Sequence, residues 1–187
     1  MIGKVTFRIS DVMALPPDVA ADCDMTFTDP PWEPSALKMF ETTMEKGGHG
    51  RPGNNIDAIL QRLFALAPSD KPCFIEYSVK GHDRVIHWGK AAGHTFVRTV
   101  IGTQLSRVPY AILQFNSDMP DMGSPVAWGA LEAALDYHQP KCVFEPFAGH
   151  AVHTSRMAKR GIRVIASEVN PDRAAKGLAA LRKIGAL

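Results

Sequence analysis

Phe27-Thr28-Asp29-Pro30-Pro31-Trp32 sets a carboxylate, two prolines and an indole in immediate succession. Proline fixes φ and has no amide hydrogen, so Pro30 and Pro31 stiffen the turn and remove two donors. The Asp29 carboxylate and the proline carbonyls then stand as acceptors with no local donor to satisfy them. Such a turn suits a ligand that offers an amino group, and Trp32 adds a flat apolar face beside it. Acceptors for an exocyclic NH2 next to a stacking ring are what an extruded nucleobase requires. The alternative is a rigid polyproline turn with a packed tryptophan.

A second stretch has the layout of a nucleoside site. Val143-Phe144-Glu145-Pro146-Phe147-Ala148-Gly149-His150-Ala151 reads as a strand entering a tight turn, followed by a helix over Val152–Lys159. The next strand ends at Ser167-Glu168. A glycine turn followed by an acid at the end of the second strand is the arrangement in which the acid holds ribose hydroxyls. Gly149 is the one glycine in this turn. That thin pattern argues against a dinucleotide and its pyrophosphate, and less against an adenosine ligand without phosphates.

Seven short apolar or period-two runs supply strands to carry these loops: Lys4–Ile9, Met25–Thr28, Cys73–Val79, Thr95–Ile101, Tyr110–Phe115, Cys142–Phe147 and Arg163–Ser167. Between them lie helical patterns. Asn55 caps a helix with Ile56, Ile59, Leu60, Leu63 and Phe64 on one face, and Pro68 ends it. Ser124-Pro125 reads as a cap followed by proline at the first helical position, with Leu131, Leu135 and His138 continuing one side. Asn170-Pro171 opens a last helix with Ala174, Leu178, Leu181 and Gly185 inward, and Arg84–Ala92 is a further helical stretch.

This alternation predicts an α/β fold: a doubly wound, mostly parallel seven-stranded sheet with one antiparallel edge hairpin, Thr95–Ile101 with Tyr110–Phe115. Asp29 then leaves a strand at its carboxyl end, where open α/β sheets bind ligands. Residues 33–54, with Gly47, Gly48, Gly50 and Gly53, lack periodicity and read as a mobile functional loop.

The 187 residues fit one domain, 1–187, with 21 Lys+Arg against 19 Asp+Glu. That near-neutral balance excludes a histone-like binder and a disordered tail. No apolar run approaches the length that spans a bilayer, so no membrane partner is expected. The N-terminus lacks a secretory apolar core, and the expected location is cytoplasmic. Cys23, Cys73 and Cys142 form an odd set without CxxC spacing and read as buried free thiols. His82, His87 and His94 lack metal-ligand spacing, so no metal is expected. Bases concentrate after Arg156, among them Arg156, Lys159 and Arg160. They suit either phosphate contacts or a solvated helix face.

Taken together, the two loops resemble those of S-adenosylmethionine-dependent DNA amino-methyltransferases of the adenine-N6/cytosine-N4 group. The likeness is to the circularly permuted, Rossmann-like arrangement in which an Asp-Pro-Pro-aromatic loop precedes the cofactor loop. Here that loop is Asp29-Pro30-Pro31-Trp32. The family's Asp-Pro-Phe-X-Gly-X-Gly turn is similar to Glu145-Pro146-Phe147-Ala148-Gly149-His150-Ala151. The Glu-Ile-Asn-Pro that follows is similar to Glu168-Val169-Asn170-Pro171. Glu145 and Ala151 depart from the pattern, and His150 and His153 are additions to it.

The resemblance implies that Asp29, Pro30, Pro31 and Trp32 are catalytic. It implies that Asp11, Ser124, Pro125, Glu145, Pro146, Phe147, Ala148, Gly149, Glu168 and Asn170 bind S-adenosyl-L-methionine. It implies methylation of an exocyclic amine, adenine N6 in DNA, since serine is commoner than aspartate at the first loop position for cytosine. RNA or another amine is the alternative substrate, and a non-catalytic nucleic-acid-binding subunit the alternative role. No target-recognition insert is evident beyond 33–54 and 116–123, so a homodimer or a partner subunit would supply sequence readout. Pro72-Cys73 is similar to the nucleophile of carbon-5 cytosine methyltransferases, but stands at the amino end of its strand.

Overall fold

The computed structural model describes residues 1–49, 53 and 55–187. Gly50 and Asn54, counted above in the mobile loop, lie outside the described residues. All seven strands form: β1 (Val5–Ile9), β2 (Met25–Thr28), β3 (Cys73–Tyr77), β4 (Phe96–Thr103), β5 (Pro109–Phe115), β6 (Cys142–Glu145) and β7 (Arg163–Glu168). They make one sheet in the order β1-β7-β6-β2-β3-β5-β4. The strands from β1 to β3 in that order run parallel, and β4 and β5 pair antiparallel at the other end, with β5 also antiparallel to β3.

Among the described residues six α-helices accompany it: α1 (Pro34–Lys46), α2 (Ile56–Leu66), α3 (His82–Ala91), α4 (Gly129–His138), α5 (Val152–Lys159) and α6 (Pro171–Lys183). One face of the sheet packs against α4, α5 and α6 through Leu131, Leu135, Met157 and Leu181. The other packs against α2 and α3 through Leu60, Leu63, Phe64 and Val85. Leu60 and Leu63 are fully buried, and truncating either to alanine costs about 2–5 kcal/mol. The α2 start is as expected: Asn55 Oδ1 accepts from Ala58 N–H at 2.8 Å.

Two expectations are corrected. Pro34–Lys46, expected as part of an irregular loop, is a helix with proline in its first turn. Its weak apolar periodicity reflects a helix that buries Met44 and leaves most of its remaining length toward solvent and a cleft. The helix expected from Ser124-Pro125 begins at Gly129 instead. The preceding residues belong to the sheet edge: Thr103 N–H donates to Pro125 O at 2.9 Å, and Ala127 N–H to Thr103 O at 2.7 Å. Those bonds hold the segment extended, and Ala127 at φ 51° bars a helix through it.

The parallel neighbours β2 and β6 hold the functional geometry, with Met25 opposite Val143 and Thr26 opposite Phe144. The chain leaves β6 for α5 on one face and β2 for α2 on the other. That reversal opens a crevice at their carboxyl ends. At the amino ends, the Cys23 and Cys142 thiols lie buried, 3.1 Å apart.

Candidate active site

A cleft of about 480 Å³ opens at the carboxyl ends of the parallel strands. Asp29, Pro30, Pro31 and Trp32 line it after β2, and Glu145, Pro146, Phe147, Ala148 and Gly149 line it after β6. Asp11 follows β1, and Glu168 and Asn170 follow β7. Twelve of the fourteen residues singled out above therefore share one cavity. Ser124 and Pro125 do not line it, because the edge pairing with Thr103 takes them elsewhere, and Trp128 stands on that side of the cleft instead.

The Asp29 turn corrects one expectation. A local donor does exist: Trp32 Nε1–H donates to Asp29 Oδ1 at 2.5 Å. The indole thus fixes the carboxylate while its ring faces the cleft. Asp29 is solvent-exposed where it meets the cleft, although protein crowds the surrounding volume. That crowding pushes its pKa up to about 6, against the opposing influences of His153, the Trp32 bond and Arg173.

Beneath it lies a cluster whose mutual contacts the sequence did not anticipate. Glu145 is 1% exposed and Glu76, on β3, is 7% exposed. His153, on the first turns of α5, sits between them: Nδ1 is 3.6 Å from Glu145 Oε1, and Nε2 is 4.0 Å from Glu76 Oε2. Thr154 Oγ1 donates to Glu145 Oε2. Glu145 thus turns inward to Thr154 and His153. Burial pushes the Glu76 carboxyl up to about 8. The sequence singled out Glu145 as a cofactor-binding residue and His153 as an addition to the turn, but not Glu76. The partnership with Glu76 joins strands distant in the chain, which no local pattern reveals.

The opposite end carries the acids. Glu168 is 5% exposed. Its Oε2 accepts from Gly149 N–H at 2.8 Å and its Oε1 from Asn170 N–H at 2.9 Å. Asn170 Oδ1 caps α6 by accepting from the Asp172 and Arg173 amides, while its Nδ2 is buried without a partner among the described residues. Asp11 Oδ1 accepts from Met13 N–H at 2.9 Å. Gly149 adopts φ 55°, which favours glycine, and a Cβ there would meet only the movable end of Arg173, Nη2, at 2.7 Å. Arg173 stacks on Phe40 of α1, 4.8 Å from the ring centroid. Phe40, Ala36, Leu37 and Met44 make α1 a wall of the cleft.

Other candidates lie elsewhere. Cys73 is buried at the amino end of β3. His94 is buried against Phe64 and Asn116. Among the described residues no group of three or more His, Cys, Asp or Glu is placed to hold a metal, and no helix is long and apolar enough to cross a membrane. Arg156 and Arg160 are engaged by Glu132, and Arg160 also by Asp136.

No family model matches the sequence, and no curated protein does. Solved structures do match in shape. The crystal structure of M1.HpyAVI superposes with a TM-score of 0.64 at 14% identity, over 95% of this chain and 98% of that one. TTHA0409, a putative DNA modification methylase of Thermus thermophilus in complex with S-adenosyl-L-methionine, gives 0.61 at 13% identity, over 100% and 96%. The cytosine-N4-specific PvuII DNA methyltransferase gives 0.58 at 10% identity, over 96% and 86%. The chain therefore has the α/β fold of DNA amino-methyltransferases.

Proposed function

We propose that this chain transfers a methyl group from S-adenosyl-L-methionine to the exocyclic amine of a flipped base in DNA, with adenine N6 as the target. The observation that carries the reading is that Asp29 and Glu168 open into one cleft. The order of the loops along the chain, Asp29 before Gly149, is that of the permuted members of the group.

The residues present fit the cofactor. Glu168 and Asp11 offer acceptors for ribose hydroxyls, Phe147, Ala148 and Phe40 offer apolar walls, and the unpartnered Asn170 Nδ2 offers a donor. When bound, the cofactor supplies an electrophilic sulfonium methyl.

The chain's own residues then act on the amine. Asp29, through the oxygen that Trp32 leaves open, and the Pro30 carbonyl accept its two N–H bonds. This draws the nitrogen lone pair out of conjugation with the ring. Asp29 and the Pro30 carbonyl would hold the amine in line with the methyl that the cofactor would supply, in a displacement whose bonding electron pair would stay with sulfur. The proton that nitrogen then loses goes to the Asp29 carboxylate or to water. Trp32 stacks on the extruded base and offsets part of the few kcal/mol that unstacking costs. Pro31 keeps this turn rigid, so catalysis is largely positioning and electrostatic complementarity.

Asp29 favours adenine over cytosine, whereas the PvuII relative is by name cytosine-N4-specific. The second reading, a non-catalytic subunit, is favoured by Glu145 turning inward and by Ala151 holding φ 59° where the family has glycine. Methylated-base analysis of DNA from cells expressing the protein tests the proposal, which expects N6-methyladenine. A melting temperature raised by S-adenosylhomocysteine with no methylated base would favour the binding subunit.

A further inference from the structure

We infer that His153 is a positioning residue whose imidazolium, clamped between Glu145 and Glu76, is the counter-charge that keeps Asp29 ionised. The inference deepens the proposed function, since it assigns how the acceptor for the target amine is kept ready. It concerns residues of this chain alone and is readable without turnover.

The geometry is unusual for a histidine in a cofactor turn. His153 stands on α5, lines the cleft with Asp29, and is 13% exposed at its side chain. Its two ring nitrogens each face a carboxylate, Glu145 from β6 at 3.6 Å and Glu76 from β3 at 4.0 Å. Phe27 of β2 meets the ring edge-on, with centroids 5.5 Å apart. A neutral imidazole offers one donor and one acceptor, and its acceptor nitrogen would be satisfied only by a Glu76 that keeps its proton and is repelled once Glu76 ionises. A cation with two donors fits both neighbours. The packing of Phe27 then fixes the ring where its charge is held in place.

Asp29 needs such a partner. Asp29 is exposed to the cleft, but a carboxylate at a crowded cleft, the more so once a base covers it, is driven toward its neutral form, which would donate to an amine where it must accept. The charged and titratable groups that bear on Asp29 come from every element around it. They are His153 from α5, Arg173 from α6, Glu145 from β6, Glu76 from β3, Tyr110 from β5 and the Trp32 indole from its own turn. His153 is the largest of the influences that favour the carboxylate. Burial opposes the charge on His153 itself, but the Glu145 contact and the charges of Glu145, Glu76 and Asp29 outweigh it, and its pKa stands at about 9. Glu76, with Oε1 buried and unpartnered among the described residues, ties the same histidine to the third strand of the cluster.

The test is carbon-13 NMR of aspartate carboxyls in the full-length protein, with the Asp29 signal identified by its loss in Asp29→Asn. Wild type should give an Asp29 midpoint near about 6. His153→Gln should move it up by about 1–2 pH units, and Arg173→Gln by less. The acid limb of the methyl-transfer rate should move with it. An Asp29 midpoint unchanged in His153→Gln overturns the inference. Nitrogen-15 NMR of the wild-type imidazole guards against a variant that fails to fold. A His153 that titrates below Asp29 is neutral where the inference needs it charged, and that also overturns it. If the titrations behave as expected and no nucleic acid is methylated, the inference stands and the proposed function fails. If methylation occurs with an immobile Asp29 midpoint, the reverse holds.

Discussion

Trp32 Nε1 lies 2.5 Å from Asp29 Oδ1, so one side chain both holds the proposed acceptor and presents the proposed stacking face. The two duties can be separated. Trp32→Phe keeps a ring and removes the hydrogen bond, whereas Trp32→Ala removes both. Base–aromatic stacking is worth about 1–3 kcal/mol, which corresponds to roughly 5–150-fold. Trp32→Ala should therefore lower kcat/KM by about that factor more than Trp32→Phe does. Steady-state kinetics on an oligonucleotide substrate check this, and equal losses would remove the stacking role.

Asp29 also leaves a mark on stability. Its folded pKa of about 6 exceeds the ordinary 3.8. Between those values the folded chain binds a proton that the unfolded chain releases, so the carboxylate costs stability as pH rises through about 6. Asp29→Asn removes that cost. It should raise Tm at about pH 8 and leave it near wild type at about pH 4, measured by calorimetry without ligand.

The Glu76–His153 pair predicts a slope of the same sign. Glu76 moves from 4.5 to about 8 on folding, and His153 from 6.5 to about 9. For both, the folded state holds the proton more tightly. The His153 contribution is complete below 6.5 and is lost as pH rises through about 9. Glu76 takes stability away as pH rises from 4.5 through about 8. The urea midpoint should accordingly fall between about pH 6 and pH 9, and Glu76→Gln should flatten the fall. A midpoint that climbs across this range would contradict the charge assignment.

Glu168 joins the Gly149 turn to the last helix through its two backbone bonds. In Glu168→Gln the amide NH2 meets a backbone N–H, and one buried donor loses its acceptor. That costs about 1–3 kcal/mol. Tm should drop, and affinity for S-adenosylhomocysteine should fall by about tenfold or more, since about 1.4 kcal/mol is a factor of ten. Calorimetric titration checks it.

Arg156 and Arg160 separate two readings of the basic face. Both already meet Glu132, and Arg156 stacks on Trp128, 3.9 Å from the ring centroid. Arg160→Ala should leave the salt dependence of DNA binding unchanged. A phosphate contact there would instead lower the slope by about one.

The sheet was legible because its strands are short apolar runs between breakers, and Met25–Thr28 is bounded in the structure as it is in the sequence. That twelve of the candidate residues line one cleft was legible because they follow strands at their carboxyl ends, where an open α/β sheet leaves its crevice. Ser124-Pro125 misled because a cap signal is local, while the bonds to Thr103 that hold the segment extended are not. Helix α1 was missed because its cleft-facing side mixes Phe40 and Glu41 and buries little. The pairing of His153 with Glu76 depends on three strands meeting, and spacing along the chain carries no trace of it.

Transfer of labelled methyl from S-adenosyl-L-methionine to duplex DNA, wild type beside Asp29→Ala, tests the account most directly. The account predicts label in N6-methyladenine with wild type and a loss of about a thousandfold in the variant, with S-adenosylhomocysteine bound by both. Equal incorporation by the two proteins would contradict it.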